Sequence, residues 1–396
     1  MQFLKQIRRL PKIIYLFIAL AIALVISGLF LINLESDVIE ISSIEFIGEA
    51  TLPKGLSFQK TPVGGLSGIT YDPKTDLYYA ISDDRGQKAP ARFYTFKIDL
   101  NQGRLQDNSV KTVGVTTLLN NQNQPFASGT TDTEGIAVTQ DETVYISSEG
   151  DVEQSIPPFI QEFDLATGKV QRSLPIPTKF LPNKKSQQGI RNNLAFESLT
   201  ITPNNKYLFT ATENALIQDG VIAAPNIGTP CRILQYNLAN GQPQQEFLYQ
   251  TEPVTSFFNP TGRFVSGLPD LLALDNHNHF LSIERSFTGL GFTVFLFQVS
   301  LTTADNIQNI DSLLTSNAQN MQAAQKKLLL DLRTLDVALD NIEGLTLGTK
   351  LADREQLLIL VSDNNFNSIQ RTQFLAFKLK FASPLMRLFR RILPQN

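Results

Sequence analysis

Asp132-Thr-Glu-Gly-Ile-Ala-Val138, followed by Thr143-Val-Tyr-Ile-Ser-Ser-Glu149, is the stretch whose reading decides the fold. Both halves have strand periodicity and strand composition, being rich in β-branched and aromatic residues. Thr139-Gln-Asp141 between them is turn chemistry. The unit carries an acid near the start of its first strand, Glu134, and another at the end of its second, Glu149.

The same unit recurs along the chain. Gly65-Leu-Ser-Gly-Ile-Thr-Tyr-Asp72 leads into Asp76-Leu-Tyr-Tyr-Ala-Ile-Ser-Asp-Asp84. Ala195-Phe-Glu-Ser-Leu-Thr-Ile201 leads into Lys206-Tyr-Leu-Phe-Thr-Ala-Thr-Glu-Asn214. Leu268-Pro-Asp-Leu-Leu-Ala-Leu274 leads into Asn278-His-Phe-Leu-Ser-Ile-Glu-Arg285, and Asn341-Ile-Glu-Gly-Leu-Thr-Leu347 into Glu355-Gln-Leu-Leu-Ile-Leu-Val-Ser-Asp-Asn364. A third strand follows, as in Cys231-Arg-Ile-Leu-Gln-Tyr-Asn237, and a fourth, as in Lys169-Val-Gln-Arg-Ser-Leu174. Four-stranded units repeated radially describe an all-β fold, the β-propeller. These five units, with Ser42-Ser-Ile-Glu-Phe-Ile-Gly48 and further stray strands, predict six blades, the ring closing between N- and C-terminal strands. Residues 305–330, with Ile307, Ile310, Leu313 and Leu314, predict a short helix.

Composition narrows the chemistry. The 396 residues are 42% hydrophobic and 18% charged with a net charge of −3, which suits an ordered core and gives no cation surplus for nucleic acid. His277 and His279 are the only histidines and Cys231 the only cysteine. Cys₄ and Cys₂His₂ zinc sites, iron–sulfur clusters and internal disulfides are excluded, and a Ser-His-Asp triad fits poorly. No GxSxG elbow is present. The histidines fall in a turn and read as solvated; Cys231 reads as a small buried apolar residue. Polar chemistry is left to carboxylates, arginines, amides or a bound cation.

Residues 1–12 carry Lys5, Arg8, Arg9 and Lys12 and no acid, and Ile13 to Ile32 runs without a charge. A helix of that length spans about 30 Å, a bilayer core. The expectation is a signal-anchor helix over residues 13–33, with the tip 1–12 cytoplasmic and the propeller, 34–382, periplasmic or extracellular. The tail 383–396 is basic and amphipathic, suited either to a membrane surface or to docking on the body.

The repeated acids recur at intervals of roughly seventy residues, as Glu134, Glu197, Asp270 and Glu343. Hairpin geometry brings Glu134, Glu149, Glu197, Glu213, Asp270, Glu284, Glu343 and Asp363, with Asp83 and Asp84, toward one mouth of the ring. Crowded carboxylates need cations. Arg85, Arg92, Arg191, Arg285 and Arg371 are internal ones, and Ca²⁺ suits an oxygen-only ligand set. Each repeated acid also suits a structural role, bonding backbone amides to tie adjacent blades, and the repetition itself argues for that role. Non-repeated groups, Arg85, Arg191, Asn192, Asn193, Asn214, Arg285, Asn364 and Asn365, are candidates for substrate binding.

The set Gly-Leu-Ser-Gly-Ile-Thr-Tyr-Asp (65–72) with Ser-Asp-Asp-Arg-Gly (82–86), Asp-Thr-Glu-Gly-Ile-Ala (132–137) with Ser-Ser-Glu-Gly (147–150), Asn-Leu-Ala-Phe-Glu-Ser-Leu-Thr (193–200) with Ala-Thr-Glu-Asn (211–214), and Asn-Ile-Glu-Gly-Leu (341–345) with Ser-Asp-Asn-Asn-Phe (362–366) resembles the phytase-like family over roughly residues 60–380. The resemblance implies a six-bladed propeller and a Ca²⁺-assisted ester or phosphoester hydrolase acting on a small anionic substrate. The dense Lys cluster suited to a hexakisphosphate is missing. In that reading Glu134 and Glu343 are catalytic, Asp83, Glu149, Glu197, Glu213, Glu284 and Asp363 ligate metal, and Arg85, Arg191, Arg285, Asn214 and Asn364 bind substrate. A metal-dependent lactonase, and a non-catalytic propeller that binds a glycan, peptide or envelope partner, are the alternatives.

Overall fold

The computed structural model describes residues 39–183, 187–255, 259–351 and 355–383. The basic tip, the anchor segment 13–33 and all but the first residue of the tail 383–396 lie outside them. Among the described residues no helix is long and apolar enough to cross a membrane. The chain divides into two units, 43–380 and the pair of ends 1–42 with 381–396, and the propeller is the first.

Among the described residues five four-stranded antiparallel sheets make it, not six. Blade 1 runs outward through Leu66–Asp72, Leu77–Ser82, Arg92–Ile98 and Val110–Thr117. Blade 2 is Thr133–Val138, Thr143–Ser148, Phe159–Asp164 and Val170–Leu174; blade 3 is Phe196–Ile201, Tyr207–Thr212, Pro230–Asn237 and Gln242–Gln250. Blade 4 is Val265–Ala273, His279–Phe287, Phe292–Ser300 and Gln325–Asp331. Blade 5 has only three strands of its own, Ile342–Lys350, Gln356–Ser362 and Gln373–Phe381. Its outer strand is the N-terminal Ile41–Thr51. That strand, which the sequence assigns to a sixth blade, completes the fifth and closes the ring. The expected helix in 305–330 is one 3₁₀ turn, Ala318–Asn320, ahead of the outer strand of blade 4.

Apolar clusters lie between neighbouring sheets. Tyr78, Tyr94 and Phe96 of blade 1 pack with Leu357, Ile359, Val361 and Phe374 of blade 5, and Ile47 of the closing strand joins them. Tyr145 and Ile160 of blade 2 pack with Leu208 and Leu234 of blade 3. Each such side chain is nearly fully buried, so each interface is driven by apolar area removed from water.

The inner strands crowd round one axis. A Cβ on Gly68 would lie 2.5 Å from the Glu134 carbonyl, and one on Gly135 would lie 2.8 Å from the Glu197 carbonyl. Only glycine lets backbones approach this closely. Every inner strand also slips register near the repeated position: between Leu66 and Gly68, Thr133 and Ile136, Phe196 and Ser198, Gly267 and Asp270, and Ile342 and Gly344. A bulge leaves a residue unpaired and re-aims its side chain. In blades 1, 3 and 5 the skipped residue is the repeated position itself, Ser67, Glu197 and Glu343.

Blade 4 differs. Its bulge falls before Asp270, whose carboxylate accepts hydrogen bonds from the backbone N–H of Leu271 and of Leu345, at 2.8 and 2.9 Å, and from that of Leu199. One side chain thus ties the inner strands of blades 3, 4 and 5. Asp270→Ala leaves the Leu199 and Leu345 amides unpaired in a dry site, and unfolding calorimetry should register a loss on the order of 3 kcal/mol. A loss below about 1 kcal/mol would remove Asp270 from this role.

Candidate active site at the propeller mouth

The inner strands open into a cavity of about 830 Å³. Its walls include Asp83, Glu134, Glu197, Glu213, Arg285, Glu343 and Asp363, one or more from each of the five blades. Seven positions that the sequence assigns to catalysis, metal or substrate therefore meet here. Local chain chemistry places them. The repeated acids ride the bulges, and the second acids sit one residue past the second strand. There the amides of Asp83, Glu149, Glu213 and Asp363 donate to the carbonyls of Gly65, Asp132, Ala195 and Asn341.

Oxygens of Glu134, Glu149 and Glu197 lie within 4.8 Å of one another, and so do those of Asp83, Asp132 and Glu134. Glu134 belongs to both groups. Glu149 accepts a hydrogen bond from the Ala195 amide with Oε1, while its buried Oε2 has no hydrogen-bond partner among the described residues. One oxygen of Asp83 is likewise buried and unpartnered. Unsatisfied carboxylate oxygens in a dry site are costly. A Ca²⁺-like cation, which takes oxygen ligands only, fits this donor set.

Burial holds these groups toward the protonated form. It raises Glu134, Glu149, Glu197 and Asp363 well above the ordinary carboxylate range, and neighbouring acids add to it. Asp83 is raised in the same way, with Asp132 and Asp363 as the leading charges. Burial pushes Glu213 up to about 7, partly offset by Arg285. Glu343 rises less because Arg285 and Asn341 support its ionised form. Arg285 donates to Glu343 at 2.5 Å and stands 3.5 Å from Glu213, and Asn341 donates to Glu343 at 2.9 Å.

Other assigned residues are committed elsewhere, which corrects the sequence expectation. Residues adjacent on a strand face opposite sides, so Arg285 enters the cavity and Glu284 does not. Glu284 is held by Lys326 at 2.6 Å, by the Tyr249 hydroxyl at 2.7 Å and by the Glu252 amide. Arg191 donates to the carbonyls of Ala215 and Gly220, bracing a loop. Asn214 bridges the Ser266 carbonyl and the Ala223 amide, and Asn364 caps the amides of Gly65 and Phe366. Arg85 forks onto Asp132, bonds Asn193 at 2.6 Å and neutralises one edge of the acid cluster. Asp84 pairs with buried Arg92 at 2.8 Å. Cys231 is buried as expected, whereas His279 is buried against Asp275 at 2.7 Å and is not solvated.

Two contributors escaped sequence reading. Asp132 joins a carboxylate group and Asn341 holds Glu343. Both stand two residues before a repeated acid, and that shared offset is the signal that could have found them.

No curated protein matches this sequence. Among solved structures, the tail fibre of Staphylococcus aureus phage P68 is similar at 11% identity and a TM-score of 0.40, over 89% of this chain and 56% of that one. This chain thus spans little more than half the tail fibre's length. The periplasmic gluconolactonase of Pseudomonas aeruginosa is similar at 13% identity and a TM-score of 0.33, over 82% of this chain and 90% of that one. The family model described as "Phytase-like: Esterase-like activity of phytase" matches residues 61–366. That match takes in all four strands of blades 1 to 4 and the first two of blade 5, and on it the chain belongs to the phytase-like family.

Proposed function

We propose that the mouth of this propeller hydrolyses small anionic esters or phosphoesters with the help of a divalent cation, Ca²⁺ by the donor chemistry. The observation that carries the reading is the buried group Glu134, Glu149 and Glu197, with an oxygen of Glu149 that has no hydrogen-bond partner among the described residues. These three would hold the cation, and Asp83 stands beside them. When bound, such a cation polarises an ester oxygen and lowers the pKa of water.

The chain's own groups supply the rest. Glu213, pushed up to about 7, suits a general base at neutral pH, and its Oε1 accepts no hydrogen bond among the described residues, with Arg285 3.5 Å away as an ion-pair partner. It would take the proton of a water whose oxygen bonds to the acyl carbon or phosphorus; the bond to the alkoxide leaving group breaks, and that group takes up a proton. Arg285 would hold the anionic end of the substrate, with Glu343 fixing its direction. Glu134 and Glu343, read from the sequence as catalytic, thereby become a cation ligand and a positioning residue.

Three outcomes are expected. Millimolar Ca²⁺ should raise the melting temperature by several degrees at pH 7.5, more than at pH 6, since bound cations need ionised ligands. Glu149→Gln should abolish most of that shift; a full shift in the variant would remove this group as the site. Without Ca²⁺, stability should fall as pH rises from 5 to 8. A carboxyl whose folded pKa is raised contributes below its unfolded pKa of 4.5 and loses that contribution through its folded pKa of about 7. For Glu213 the loss is at most about 3 kcal/mol, and Glu213→Gln should flatten the profile. Finally, release of 4-nitrophenol from model esters should fall at least 100-fold in Glu213→Gln; unchanged turnover would reject Glu213 as the base.

A further inference from the structure

The cavity has two unlike sides. Blades 1 to 3 contribute Asp83, Glu134, Asn193, Glu197 and Glu213, all polar. Blades 4 and 5 also supply polar groups, among them Arg263, Arg285, Glu343 and Asp363, but they alone add apolar side chains to the lining: Val265, Phe287, Leu290, Phe292, Leu339 and Ile369. The wall has a simple backbone origin. The first three strands of blade 4 are nine residues long, against six to eight in the corresponding strands of blades 1 to 3. At the end of that longer sheet, Val265 pairs with Phe287 and Phe287 with Phe292, the two rings 5.2 Å apart. Leu290 sits in the hairpin above them.

This apolar surface is not core. Leu290 is 67% exposed, Ile369 84% and Val265 41%. Holding such side chains in water beside an otherwise charged well gains nothing for folding, and apolar surface displayed at a cavity marks a contact for an apolar ligand group.

We propose that the ligand of this mouth is an amphiphile: an ester or phosphoester whose acyl, alkyl or aryl group lies on the wall of blades 4 and 5 while its polar end reaches the carboxylates and Arg285. The inference rests on the hydrolase reading for the reacting end, and on the wall alone for the apolar end. A charged sugar phosphate or inositol phosphate, polar all round, would leave the wall wet.

The chain has no Trp, so Leu290→Trp in the full-length protein places its only indole on the wall. Titration with methyl-, butyl-, hexyl- and octylphosphonate in the presence of Ca²⁺ should quench or blue-shift that indole, with affinity rising about twofold per methylene, half the full-burial value. Adding Ile369→Ser should reduce that gain, and Val113→Trp, on the outer strand of blade 1, should report nothing. Equal affinity for all four ligands, or no response at any length, overturns the proposal. The hydrolase reading is judged separately by 4-nitrophenyl ester turnover. Length-dependent binding without turnover leaves the wall standing and removes the hydrolase. Turnover with length-independent binding does the reverse.

Discussion

Five strands cannot surround one axis at van der Waals distance and also carry bulky side chains inward at every position. That crowding governs the rest of the molecule. It requires Gly68 and Gly135 where one inner strand meets the next carbonyl, and it accompanies a bulge in every inner strand near the same position. A bulge frees one side chain from the regular alternation, and in this chain the side chain freed is most often an acid. Close packing of backbones and convergence of carboxylates are thus two results of one geometric demand.

Convergence sets the electrostatics. Acids at the floor of the well are dry and mutually repulsive, so each is held toward its neutral form, while Arg285 reaches in among them and Arg85 neutralises one edge. Asp270 instead turns onto three backbone amides, which only partly offset the upward push of burial on its carboxyl. Both roles weighed for the repeated acid therefore occur in one ring: a structural tie in blade 4, and a place in the shared well in blades 2, 3 and 5.

The all-β class, the blade units and most of the ring of acids were legible in the sequence, because strand periodicity and the repeat register lie in local order. The blade count was not. Ile41–Thr51 has strand character, but nothing in its residues says whether it founds a sheet or completes one; that depends on blade 5 lacking an outer strand. Glu284 was misassigned because the repeat aligns it with Asp83 and Glu149, and the displaced bulge of blade 4 is invisible before the strands are paired. Arg191, Asn214 and Asn364 have the right residue types for ligand binding, yet backbone carbonyls and amides, 299 residues away for Asn364, absorb them. Polarity reveals that a side chain must find a partner, not which one.

The exchange of Glu284 for Arg285 has a broader consequence. A bulge shifted by a couple of residues along blade 4 reverses which sign of charge faces the axis, without altering any residue of the neighbouring blades. In this ring the displaced bulge accompanies the one second strand that turns a cation, not an acid, toward the axis, while the hydrophobic seams between blades keep the pattern they have elsewhere.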